Sequence, residues 1–160
     1  MVVLEPQEIV GSMSKTVAAM LLAKNQRNGD VHALKASQNK QLSIVDSGAS
    51  DHMTNCPHLF TTYVPCAGSQ KVKIADGSLA PIAGKGSIRI SEFITLESVF
   101  HVPKLACNLL SVSQLTKQTN CCATFLPSHC VFQDLSSGMT IGRAKEYEGL
   151  YFLDDVEVSH

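Results

Sequence analysis

The stretch "SIVDSGASDHM", Ser43 to Met53, runs an apolar pair, Ile44-Val45, directly into Asp46-Ser47-Gly48-Ala49 and then into a polar cluster holding Asp51 and His52. A carboxylate at the end of a buried strand is costly unless something satisfies it or uses it. The stretch therefore reads as a short strand that delivers Asp46 to a turn. Gly48 is expected to let the backbone bend sharply and aim N–H groups at the carboxylate. The Ser47 hydroxyl is free to bond across to a neighbouring main chain.

Those features suit an aspartic-protease site, where two carboxyl groups share a proton and hold a water between them. One carboxylate deprotonates the water, and the protonated one donates to the scissile carbonyl. The chain has a single Asp-Ser-Gly, and Asp76-Gly77-Ser78 has the wrong order. One copy thus supplies half a site, and a twofold dimer supplies the rest. By itself the tripeptide is a weak signal that reads first as an N-cap or a turn. Serine hydrolysis is a poorer fit, because "GASDH" ends in His52 where a nucleophile elbow needs glycine. His52, His58 and His101 are expected to be packing or surface residues.

The bulk composition narrows the classes. The chain has 160 residues, 44% hydrophobic and 17% charged, which suits a folded core rather than disorder. Net charge is −1 with no basic run, aromatics are 6% and Trp is absent, so nucleic-acid binding is not expected. No apolar run approaches the roughly 18 residues that span a bilayer, and no membrane partner is expected. The N-terminus lacks the basic-then-apolar order of a secretory signal. Six cysteines, none in C-x-x-C, are expected to be reduced thiols. Cys121, Cys122, His129 and Cys130 have the right types for zinc, but their spacing favours strand packing, so no metal and no cofactor is assigned.

Residues 1–40 read as a linker or N-terminal extension, with a short helix conceivable over Ser14 to Gln26, capped by Ser12 or Ser14. From Leu42 the texture is strand-like, with short runs of Val, Ile, Phe and Thr between Gly, Pro and Asp. "KVKIAD" alternates and returns through "ADGSLAPIAGKG" as a hairpin, with Pro81 on an edge. "NLLSVSQLTKQ", Asn108 to Gln118, has helical spacing and Asn108 as its cap.

Three separated segments then carry a family resemblance: "IVDSGASDHMT" at 44–54, "VKIADGSLAPIAGKGSI" at 72–88 and "VFHVPKLACNLLSVSQL" at 99–115. Their order and spacing resemble the retropepsin-like aspartic proteases of Ty1/copia LTR retrotransposons. "EGLYFLD" at 148–154 resembles the junction leading toward the pre-integrase segment. The resemblance implies an all-β fold, a retropepsin-like closed β-barrel half with a flap hairpin and one short late helix, active as a twofold homodimer. It implies a protease core over 41–118 and a strand-rich C-terminal extension over 119–160. Asp46, Ser47 and Gly48 fall on the catalytic motif. Ala49, Ser50 and Asp51 fall on the adjoining substrate-binding loop, and Ala75, Asp76, Gly77 and Ser78 on the flap tip. The implied substrate is an extended polypeptide, the Gag-Pol polyprotein, cut in cytoplasmic virus-like particles. A catalytically silent dimerisation or peptide-binding module is the alternative. Retroviral relatives carry a paired Asp and Arg where this chain has Ser50 and Cys107, a joint loss that leaves no buried charge alone.

Overall fold

A computed structural model describes residues 8–15, 17–19 and 43–154. The expected helix from Ser14 is helical at 15 and 17–19, and the Ser14 hydroxyl accepts from the N–H of Val17 at 3.1 Å, as an N-cap does. The remainder of that helix, and the rest of the linker, lie outside the described residues.

The chain centre is a pair of parallel strands, β2 (Ser43–Asp46) and β9 (Asn108–Ser111), in register from Ser43↔Asn108 to Asp46↔Ser111. Alternate residues feed opposite faces. Ile44 and Leu109 enter one core cluster, with Met53, Val72, Phe100 and Phe152. Val45 and Leu110 enter the other, with Leu96, Leu115, Phe132 and Ile141. Burial on both faces explains why both strands are continuous apolar runs rather than alternating ones.

This pair lies within a ten-stranded sheet ordered β10-β11-β12-β13-β2-β9-β3-β8-β7-β4. The other members are β3 (Met53–Thr54), β4 (Thr62–Pro65), β7 (Gly84–Arg89) and β8 (Thr95–His101). Beyond β2 come β10 (Cys121–Phe125), β11 (His129–Asp134), β12 (Thr140–Tyr147) and β13 (Leu150–Leu153). A second sheet, three-stranded, places β5 (Gln70–Lys73) between β1 (Glu8–Ser12) and β6 (Leu79–Pro81). Pro81 is on the edge strand, where its missing N–H costs no ladder bond.

Two expectations need correction. The fold is mostly β, but among the described residues the large sheet is open rather than closed as a barrel half. One edge, β4, exposes all four residues and ends in Pro65, which cannot donate a closing bond. On the other side β13 joins β2 at Phe152↔Ile44, so C-terminal hairpins extend the sheet from β2 outward. The second correction concerns the late helix. Asn108–Ser111 is strand, and α1 covers only Val112–Thr119, with Ser111 as its cap accepting from Gln114 N–H. Pairing with β2 buries all four residues of β9, a gain that outweighs local helical spacing.

Candidate active site around Asp46

Asp46 ends β2 and is only 1% exposed. Its Oδ1 accepts from the N–H of Gly48 at 2.9 Å, and its Oδ2 accepts from the N–H of Ser14 at 3.0 Å. The first bond fits the turn read from the sequence. The need for glycine is different from the one expected: a Cβ at residue 48 would lie 2.5 Å from the Cβ of Ser14. Glycine is there because another segment of chain packs against it.

The loop that follows is braced from below. The Ser111 hydroxyl donates to the carbonyl of Ala49 at 2.7 Å, and Ser111 N–H donates to Nδ1 of His52 at 2.9 Å. The carbonyl of Ser50 accepts from the Gln114 side chain at 3.1 Å. Ala49 and His52 are buried, Asp51 is half-buried, and Ser47 and Ser50 face outward. Burial holds His52 below its ordinary value of 6.5, opposed by its bond to Gln118 and the charge of Asp51. It is a neutral packing histidine with both ring nitrogens engaged.

Cys107 lies close enough to feel Asp46. Burial first, and the Asp46 charge second, push its thiol up to about 12. A neutral thiol thus sits within reach of the Asp46 charge. Cys121 and Cys130 are buried in the core, their strands pairing Cys121 with Asp134 and Cys130 with Phe125. Among the described residues no group of three or more His, Cys, Asp or Glu is arranged to hold a metal.

Residues 46–51 are one continuous loop, whereas Ala75, Asp76, Gly77 and Ser78 form a separate turn between β5 and β6. Asp76 accepts from both the amide and the hydroxyl of Ser78, which together hold its carboxyl below the usual range. The hairpin's inner face is anchored, with Val72 and Ala80 fully buried. Strand β1 connects turn and loop, pairing with β5 on one side and meeting Ser50 through Ser12 on the other.

A cavity of about 530 Å³ opens beside the carboxylate. Asp46, Ser47 and Val17 line it, together with Phe125, Leu150 and Tyr151 from the C-terminal hairpins. Phe125 and Tyr151 meet edge-to-face with centroids 5.1 Å apart. Neither aromatic, nor Ser12, nor Ser14 was readable as part of this site. The only sequence signal was the capping potential of Ser14, which says nothing about Asp46.

Residues 43–120 match a protein family described as "Pol polyprotein, beta-barrel domain". The homology is to a retrotransposon Pol region. Two Arabidopsis thaliana proteins are similar to the chain. The Retrovirus-related Pol polyprotein from transposon RE2 is 31% identical over 122 residues, 74% of this chain and 8% of that protein. Its counterpart from transposon RE1 is 31% identical over 111 residues, 68% of this chain and again 8% of that protein. The chain therefore spans a small part of the Pol polyproteins it matches. No solved structure matches it. The family match takes in the Asp46 loop, the 70–81 hairpin, β9 and α1; β1 and β10 to β13 fall outside it.

Proposed function

We propose that this Pol segment is one half of an aspartic endopeptidase, with Asp46 from each of two copies meeting at a twofold axis to cut the Gag-Pol polyprotein. One Asp46 carboxylate takes a proton from the bound water, whose oxygen attacks the scissile carbonyl carbon. The other carboxyl gives its proton to the carbonyl oxygen. The C–N bond then breaks as the first carboxyl passes the proton it took from water to the leaving amine, and a hydroxyl of the tetrahedral intermediate returns a proton to the second carboxylate. Ser47, at the outer face of the turn, is suited to brace the partner's loop. Asp76 staples the hairpin tip, and the edge of β5 that pairs with β1 in this structure is the one suited to an extended peptide.

The observation that carries this reading is a buried carboxylate at a strand end, held by a glycine amide and bordering a cavity with apolar walls. Buried acids without a task are expensive, and the walls of the cavity suit an apolar peptide side chain. The test is cleavage of a peptide spanning a Gag–Pol junction by the full chain and by its Asp46→Asn variant. Cutting by the first alone is expected. Equal peptide binding by both chains, without cutting, would replace the enzyme with a silent binding module.

A further inference from the structure

The segment Glu8 to Ser14 runs between β5 and the Asp46 loop and bonds to both. On one side β1 runs parallel to β5, from Glu8↔Gln70 to Ser12↔Lys73, as an added strand at a hairpin edge. On the other, Ser12 and Ser50 exchange two bonds, one main-chain and one to a side chain: Ser50 N–H donates to the Ser12 carbonyl at 3.3 Å, and Ser12 N–H donates to the Ser50 hydroxyl at 3.1 Å. Two residues on, the N–H of Ser14 bonds Oδ2 of Asp46. Hairpin, loop and carboxylate are all engaged by one strand of backbone.

We propose that the cleft between β5 and the Asp46 loop is a binding site for one extended polypeptide strand, and that the chain's own residues 8–14 occupy it as a displaceable plug. The inference rests on the endopeptidase reading for the identity of the displacing strand. The plug is made for release. Gly11, Ser12 and Ser14 are small, so they contribute main-chain bonds with little apolar burial. Ile9 is 56% exposed, and the β1–β5 register slips between Ile9 and Gly11. What holds the segment down is Met13 and Val17, both buried in the first core cluster. A strand with larger side chains makes the same main-chain bonds and buries more surface. A second Asp46 also has to come within about 3 Å of the first for a shared proton, and in this arrangement the Ser14 amide is already 3.0 Å from Oδ2.

The test uses a fluorescent peptide, EIVGSMSKTVAA, copied from residues 8–19, titrated into three full-length chains: wild type, Gly11→Val and Ser14→Pro. A Cβ at residue 11 meets the side-chain ends Asp51 Oδ2 at 3.1 Å and Met53 Cε at 3.2 Å, so the branched valine crowds β1 against the loop and weakens its hold; proline at 14 removes the donor to Asp46. Both variants are expected to bind the peptide about tenfold more tightly than wild type, because the competing strand has been weakened. Amide exchange at Ser50 is expected to rise in both and to fall again when the peptide is added. Equal affinity in all three chains, or no binding by either variant, overturns the proposal. Neither readout requires hydrolysis, so a chain that never cuts can still bear the plug out, and a chain that cuts can still refute it.

Discussion

Ser111 N–H donates to Nδ1 of His52 across 2.9 Å, which leaves the other ring nitrogen to donate to Oε1 of Gln118 at 3.0 Å. Gln118 in turn pairs with the main chain of Glu97, accepting from its N–H and donating to its carbonyl. One imidazole thereby ties the loop after Asp46 to β9, to the end of α1 and to β8. His52→Leu leaves the Ser111 amide buried and unbonded, an expected loss of about 1–3 kcal/mol in urea unfolding. His52→Gln, which can accept that bond, is expected to recover part of it.

The same histidine sets a pH dependence. Burial lowers His52 and His101 from 6.5 in the folded chain, so below that value the unfolded state binds more protons. Their contribution to stability is full above 6.5 and is lost as pH falls toward the lowered folded values. Unfolding midpoints measured on either side of 6.5 should drop on acidification, and less steeply in His52→Gln. A midpoint that rises on acidification contradicts the lowering of both rings by burial.

The Asp46 strand and its turn were legible in the sequence because their signals agree: an apolar pair, an acid and a glycine two residues on. The helix boundary was not legible. Leu109, Leu110, Val112 and Leu115 satisfy helical spacing, and only pairing with β2, more than sixty residues away in the chain, makes the first two strand. The plug escaped for the same reason, since nothing local in Ser12 or Ser14 reports a partner at Ser50 or Asp46. The C-terminal hairpins were legible as strands. That their aromatics border the carboxylate depends on a single register pair between β13 and β2.

That register makes the C-terminal hairpins part of one core. Phe132, fully buried on β11, packs in the cluster that also holds Val45 and Leu110. Phe132→Ala is expected to cost about 3–5 kcal/mol and to lower a single unfolding transition. Leu135→Ala, at a residue 60% exposed, should change stability by less than about 0.5 kcal/mol. Two separate transitions in the wild type, only one of them shifted by Phe132→Ala, would show that the hairpins fold apart from the centre.

Close approach at Gly86 gives a sharper test of the β4 edge. A Cβ there would lie 1.9 Å from the carbonyl oxygen of Thr62, which is backbone and cannot swing away. Gly86→Ala should therefore peel β4 from β7 at a cost of about 3 kcal/mol, near the upper end for overpacking. Amide exchange in Thr62–Pro65 and its β7 partners should accelerate while β9 stays protected. Unchanged exchange at β4 would mean that the strand is not held in this register.

Cys107 offers a readout of the Asp46 environment that needs neither substrate nor dimer. Its thiol is pushed up to about 12 by burial and by the Asp46 charge. Only the thiolate reacts, so at about pH 8 alkylation of Cys107 should lag well behind that of Cys66 or Cys122. Asp46→Asn removes the charge but keeps the burial, and should speed Cys107 selectively by a modest factor. Burial is the larger cause, so the residue should remain the slower thiol even then. Mass spectrometry of iodoacetamide-treated chain, peptide by peptide, measures both rates. If Asp46→Asn leaves the Cys107 rate unchanged, carboxylate and thiol are not neighbours.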